Sequence, residues 1–301
     1  MGVSKVHWAA LAAWAGIGGR TMTALLQHFG SLEPVFSASE LVRVRHIGPQ
    51  TAAAITSLDL PAIEAALADF ASAGVSILTW EDAEYPANLL RSQDAPPVLF
   101  VRGALAEDDV RAVAVVGTRS PSASAVMLAR TIAAELAVRG WTIVSGLALG
   151  IDTAAHRGAL EAGGRTLAVL GGGVLNVYPP ANAALAEAVM RSGALLCEAH
   201  PQAEVNRQSL IARNRITSGL SRAVIVVQSG EDSGSMSTAR RAREQGRAVL
   251  AVRGGDAGCD SLIAEGAEEL RPDDGDWDAL SARLNALPPS GARPAGQPRL
   301  F

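Results

Sequence analysis

Four short segments of this 301-residue chain combine glycine with hydroxyl or arginine side chains, or are glycine alone. They are Gly117-Thr118-Arg119-Ser120, Ser145-Gly146-Leu147-Ala148-Leu149-Gly150, Gly171-Gly172-Gly173 and Asp232-Ser233-Gly234-Ser235-Met236-Ser237. Glycine lets a backbone approach a ligand closely, while hydroxyls and the N–H groups of a helix start donate to oxyanions. Arg213-Asn214-Arg215 adds two planar guanidinium forks suited to phosphate, flanked by Arg207 and Arg222. A dinucleotide enzyme concentrates its glycines in one G-x-G-x-x-G, which does not follow the first strand of the alternating region here. Several loops of moderate glycine content fit a chain of phosphates better than a single pyrophosphate. One such loop alone is an ordinary tight β→α turn; four on one edge favour binding. Tyr178 is the one aromatic at such a loop that could stack on a base. Arg240, Arg241, Arg243 and Arg247 read as an exposed helix face.

Asp152 and His156 stand four apart, on one face of a helix. That spacing suits an acid–base pair or, alternatively, a helix cap and a packed histidine that support the loops. No serine, cysteine or lysine nucleophile with suitable context accompanies them, so the supporting role is preferred and no catalytic residue is assigned.

Composition narrows the chemistry further. Lys5 is the only lysine, so neither a P-loop lysine nor a Schiff-base lysine is available beyond the N-terminus. Cys197 and Cys259 form no C-x-x-C pair and the five histidines are scattered. No metal and no cofactor is expected. The net charge is −4, so a nucleic-acid contact must come from a local basic patch and weaken steeply with salt. With 49% hydrophobic and 19% charged residues the chain reads as globular. It shows no apolar run of the roughly 20 residues that span a bilayer and no secretory leader. A soluble, cytoplasmic protein without membrane contact is the expectation.

These loops need a scaffold that brings them to one edge. From 112 onward short apolar runs alternate with helical patterns. Strands are predicted at Ala112–Val116, Trp141–Ser145, Thr166–Leu170, Ala194–Cys197, Ala223–Val227 and Ala248–Val252. Helices are predicted over Ser124–Arg139, Asp152–Ala162, Asn182–Arg191, near Ala212–Ser218, and over Ser237–Glu244. Continuous apolar strands, each followed by a helix, indicate an α/β, Rossmann-like, doubly wound and mainly parallel sheet, whose ligands sit beyond the C-terminal strand ends. Residues 256–270 suggest a loop, a short helix and an edge strand, and Asp276–Leu287 a last helix.

The expected domains are a small all-α unit at 1–60, a connector at 61–111 that packs on the main domain, a Rossmann-like DNA-binding domain at 112–287 and a Pro/Gly-rich flexible tail at 288–301. The connector carries strand candidates at Gly74–Thr79 and Pro97–Arg102. In the first unit, Ile17-Gly18-Gly19 and Ile47-Gly48-Pro49 each precede a helical run, Thr21–Phe29 and Thr51–Thr56. This resembles paired helix-hairpin-helix, or SAM-like, units. Such turns hold a phosphate or simply cap a docking surface.

The runs VAVVGTRSPS (113–122), IVSGLALGIDTAAHRGALEAGGRTLAVLGGGVLNVYPPAN (143–182), ARNRITSGLS (212–221) and SGSMSTARRAREQGRAVLAV (233–252) resemble the DNA-processing protein A (DprA/Smf) family, over about residues 76–270. The resemblance implies a non-enzymatic homodimer of natural transformation. It would bind and protect incoming single-stranded DNA and help load the RecA recombinase. By motif position Gly117, Thr118, Arg119, Arg213, Asn214 and Arg215 would hold DNA phosphates. Ser145, Gly146, Gly172, Ser233, Gly234 and Ser235 would line the same pocket, supported by Asp152, His156 and Tyr178.

The chain departs from the family pattern at Leu210-Ile211, Gln228-Ser229 and Arg253-Gly254, and near Asp260-Ser261. Many members carry a C-terminal winged-helix-like domain, expected here to be absent or removed. The final residues Gln297-Pro298-Arg299-Leu300-Phe301 resemble peptides that dock on bacterial sliding clamps. The alternative function is that of a nucleotide phosphoribohydrolase-like Rossmann enzyme. Its P-G-G-x-G-T-x-x-E signature would need a glutamate where Arg241 stands.

Overall fold

Each of the predicted parallel strands is a short, mainly apolar run closed by a glycine or a polar residue, a pattern that survives only when both faces are covered. In the computed structural model, which describes residues 3–271 and 275–287, these runs become strands of one nine-stranded sheet. The N-terminal part comprises α1 (Val3–Ala9), a π-helical turn (Ala10–Trp14), α2 (Gly19–Phe29), α3 (Pro49–Thr56) and α4 (Leu60–Ser72). It continues through β1 (Val75–Thr79), the short α5 (Ala87–Leu90) and β2 (Val98–Gly103). The alternating region follows as β3 (Ala112–Val116), α6 (Ala123–Val138), β4 (Thr142–Ser145), α7 (Ile151–Glu161), β5 (Thr166–Val169) and α8 (Ala183–Ser192). Then come β6 (Ala194–Cys197), α9 (Arg207–Ala212), α10 (Asn214–Leu220), β7 (Ala223–Val226) and α11 (Gly234–Glu244). The last elements are β8 (Ala248–Val252), α12 (Ala257–Ala264), β9 (Glu268–Leu270) and α13 (Trp277–Ala286).

The sheet order is β1-β2-β6-β5-β4-β3-β7-β8-β9. All pairs from β6 to β9 are parallel, whereas β2 runs antiparallel to both β1 and β6. The order reverses at β3, which lies between β4 and β7. In such sheets the loops on the two sides of the reversal diverge and leave a crevice.

Alternation along β3 distributes its side chains to two cores. Val113 and Val115 join a cluster with α6, α7 and α13, including Trp141 and Ile132. Ala112, Ala114 and Val116 face the other side, where α8, α10, α11 and α12 pack. That second cluster runs without a break into the N-terminal helices, through Trp8, Leu67, Phe70 and Trp80. Trp8 and Trp80 meet edge-on, their ring centroids 5.7 Å apart. Asp59, Ser122 and Asp276 cap α4, α6 and α13 by accepting backbone N–H groups.

Two local features differ from expectation. The single helix expected near 212–218 is two short helices meeting at Arg213, and α11 starts at Gly234, three residues before its predicted first residue. The predicted tail and the Gln297–Phe301 peptide lie outside the described residues. Among the described residues no single helix is long and apolar enough to cross a membrane, and no group of three or more His, Cys, Asp or Glu could hold a metal ion.

Candidate anion-binding cleft at the strand ends

The loops after β3, β4, β5 and β7, together with α9 and the start of α11, enclose a cleft of about 920 Å³. Its lining includes Gly117, Thr118, Arg119, Asp152, Tyr178, Arg213, Asn214, Ser233, Gly234 and Ser235. Residues that lie more than a hundred positions apart in the chain are therefore brought to one edge. Four arginines face it, Arg119, Arg207, Arg213 and Arg240, against Asp152, Glu231 and Asp232, a small positive excess in a chain of net charge −4.

Arg213 sits at the α9–α10 junction and is only 6% exposed. Its guanidinium makes no hydrogen bond to any described residue, and its Nε is buried without a partner. Burial lowers its pKa from the usual arginine value; Asp152 opposes that and Arg119 adds to it. Gly146 makes room for this group, because a Cβ there would overlap Nη1. A nearly buried cation without hydrogen bonds is costly unless an anion completes it.

Asp152 lies in the first turn of α7 and is buried. Its Oδ2 accepts the N–H groups of Gly146 (3.1 Å) and Ala148 (3.4 Å), tying the β4 loop to the helix start. Burial raises its pKa, and Arg213 is the main opposing influence. In the same loop Leu147 adopts a left-handed φ of 57°, unusual for a branched side chain. Asn182 secures it by donating to Leu147 O (2.8 Å) and to Thr153 Oγ1 (2.9 Å).

His156 shares the α7 face with Asp152 but bonds elsewhere. Its Nδ1 is 2.7 Å from Thr166 Oγ1, and that hydroxyl donates to Ile143 O at 2.8 Å. The imidazole must therefore donate from Nδ1, leaving Nε2 a buried acceptor without a partner. Burial, reinforced by Arg213, pushes its pKa down to about 3. A neutral, fully buried ring of this kind holds α7 to β5.

At the start of α11 three hydroxyls form a closed triangle. Ser229, Ser233 and Ser235 lie 2.6–2.9 Å apart through their Oγ atoms. Asn214 donates to Gly234 O (3.1 Å) and so fixes this turn to α10. Thr118 donates its N–H to Gln228 O (2.8 Å) and joins the β3 and β7 loops. Gly117 is required there, since a Cβ would come within 2.6 Å of Ile151 Cγ1.

Besides His156, four of the site residues expected from the sequence do not line the cleft. Ser145 is buried and donates to Val115 O (2.7 Å), and Gly146 backs Arg213. Gly172 packs on the loop before α9, where a Cβ would meet Ala203 O at 3.0 Å. Arg215 is two residues past Arg213, about 200° round the helix. It pairs with Glu198, and its carbonyl accepts from Gln245 Nε2 (2.9 Å).

Other arginines also fall differently from the reading of one exposed face. Arg240 lines the cleft, and Arg247 is buried, donating to Asn88 O (2.6 Å) and Gly219 O (3.0 Å). Arg241 and Arg243 do lie on the surface, paired with Glu244 and Glu265. Sequence reasoning missed Ser229 and Asn182. The signals were present, in the Gln228-Ser229 departure and in the last residue of the VYPPAN run.

A family model described as DNA recombination-mediator protein A matches residues 76–277. The DNA processing protein DprA of Bacillus subtilis (strain 168) is 38% identical over 216 residues, which covers 70% of this chain and 73% of that protein. Protein Smf of a Synechocystis strain is 34% identical over 297 residues, covering 94% and 73% respectively. The X-ray structure of DNA processing protein A from Streptococcus pneumoniae superposes with a TM-score of 0.78 at 31% identity, over 91% of this chain and 97% of that one. The structure of DNA processing protein A from Helicobacter pylori, described for its single-stranded DNA binding mode, gives 0.62 at 28% identity over 69% and 96%.

Proposed function

This chain belongs to the DNA recombination-mediator protein A family, and from that premise we propose that it binds single-stranded DNA along the strand-end cleft by gripping phosphates. The observation that carries this reading is Arg213, a nearly buried guanidinium without a hydrogen bond that faces the cleft beside the serine hydroxyls and Arg119. The 0.62 match to a relative described as binding single-stranded DNA supports the same polymer. On this reading the protein works in the cytoplasm as a homodimer, protects the incoming strand of natural transformation and helps load RecA onto it. No bond is made or broken. Arg241, where the hydrolase signature would need glutamate, instead pairs with Glu244 on an exposed face.

Phosphate gripping has a direct test. Binding of single- and double-stranded oligonucleotides is measured between about 50 and 200 mM salt, where each contact with a single strand contributes about −0.7 to the slope of log K against log salt. Preference for the single strand with a slope of −2 or steeper is expected, on the order of three phosphate contacts. A flat slope, or tighter binding of duplex, would overturn the reading. Incubation with AMP is expected to release no adenine, which separates binding from hydrolysis.

A further inference from the structure

One wall of the cleft is the segment that runs from the end of β6 through α9 to Arg213. Val205, Asn206, Arg207, Leu210 and Ile211 line the cleft from it. The wall has little interior of its own, because α9 contains no buried residue. It is held by Leu210 against Gly171, by Arg213 at one end and by a tight turn beginning at His200 at the other.

The His200 turn is bonded on both sides. Its carbonyl accepts from Ala203 N (2.8 Å), Ala203 O accepts from Gly173 N (2.9 Å), and Pro201 O accepts from Leu175 N (2.8 Å). The His200 Nδ1 accepts from Gln202 N at 3.3 Å. Its ring reaches away from the cleft, into the N-terminal helices. There it meets Trp14 edge-on at 4.8 Å and Phe70 at 5.2 Å, at interplanar angles of 82° and 83°. Phe70 belongs to the continuous core that includes Trp8 and Leu67. Such edge-to-face rings have a preferred geometry, and a close-packed interior passes a displacement on rather than absorbing it.

We propose that His200 is a positioning residue, through which Trp14 and Phe70 of the N-terminal helices set the place of the cleft wall and hence the affinity for single-stranded DNA. Neither Trp14 nor His200 touches the cleft. The effect therefore travels through the ring stack and the 200–203 turn, and the first helices of the chain regulate a site they do not line. The consequence for DNA rests on the function proposed above; the mechanical coupling does not.

The experiment compares the full chain with Trp14→Ala, His200→Ala, the double variant and Trp14→Phe. Two readouts are used: affinity for an oligothymidylate of about 20 nucleotides, and amide exchange at Gly173, Leu175 and Ala203 without DNA. Each alanine variant is expected to weaken binding and speed exchange at the three amides by about tenfold. The double variant should be no worse than either single one, because both cut one path. Trp14→Phe, which keeps a ring, should stay within about twofold of wild type. Additive losses, or unchanged exchange in Trp14→Ala and His200→Ala, would overturn the coupling. Failure of the wild-type protein to bind oligothymidylate would instead overturn the DNA reading, and exchange would still decide the coupling.

Discussion

Arg213 packs directly on Gly146, its Nη1 occupying the space that any Cβ on Gly146 would take. The two residues belong to different loops, 67 positions apart in the chain, and neither has meaning for the site without the other. Gly146→Ala is expected to dislodge the guanidinium and lower oligonucleotide affinity by about tenfold or more. Fluorescence anisotropy reads the loss, and an unchanged far-ultraviolet circular dichroism spectrum excludes unfolding. Wild-type affinity in this variant would remove Arg213 from the interface.

Arg213 and Asp152 compensate each other in a buried setting. Arg213→Ala removes the main charge that opposes the burial penalty on the Asp152 carboxylate, so a loss of stability is expected. Adding Asp152→Asn should recover much of that stability in urea titrations while DNA binding stays lost. Recovery of both together would mean that Arg213 acts only as a structural counter-charge.

Arg119 and Arg215 should separate in behaviour. Arg119 lines the cleft and makes no ion pair with any described residue, whereas Arg215 is paired with Glu198 outside it. Arg119→Glu is expected to weaken binding and to flatten the salt slope by about 0.7 or more. Arg215→Glu sets two like charges side by side; its main effect should be a lower melting temperature at a nearly unchanged slope. If Arg215→Glu flattens the slope as much as Arg119→Glu does, the cleft extends beyond the residues described.

His156 gives acid sensitivity a defined window. Its pKa falls from the ordinary 6.5 to about 3 in the folded protein. Between those values the unfolded chain binds the proton and the folded chain does not. Its contribution to stability is therefore full above about pH 6.5 and is lost as pH falls toward 3, at a slope approaching about 1.4 kcal/mol per pH unit. Asp152, whose pKa is raised, acts in the opposite sense above its ordinary value of 3.8. Urea midpoints at pH 7 and pH 5 should converge in His156→Phe relative to wild type. An equal drop in both proteins would assign the acid sensitivity to other groups.

The strands were legible because a parallel strand covered on both faces leaves a distinctive trace. Ala112–Val116, Ala194–Cys197 and Ala248–Val252 appear with the boundaries expected, each apolar and each closed by a polar or glycine residue. The glycine loops were legible for the same reason, since they mark strand ends. Which arginine enters the cleft was not. The R-N-R spacing sets Arg213 and Arg215 on opposite sides of a helix but does not say which one faces the cleft; the packing of α10 turns Arg213 inward and Arg215 toward Glu198. Ser229 was marked in the sequence only as a departure from the family pattern, with nothing to say what it does. It joins the hydroxyl triangle only because β7 ends at Val226, so that the following turn curls back over Ser233 and Ser235.

The antiparallel pairing of β2 with β6, in which Phe100 sits opposite Cys197, bears on how the chain is made. The ribosome delivers β2 early, yet the neighbour that completes its edge is nearly a hundred residues downstream. At roughly 5–20 residues per second, β6 follows β2 by on the order of 5–20 s, and until then the edge of β2 that β6 covers has no partner. For that interval the nascent protein presents an adhesive apolar strand, and safe passage depends on the helices synthesised before it folding back promptly or on a chaperone holding the edge.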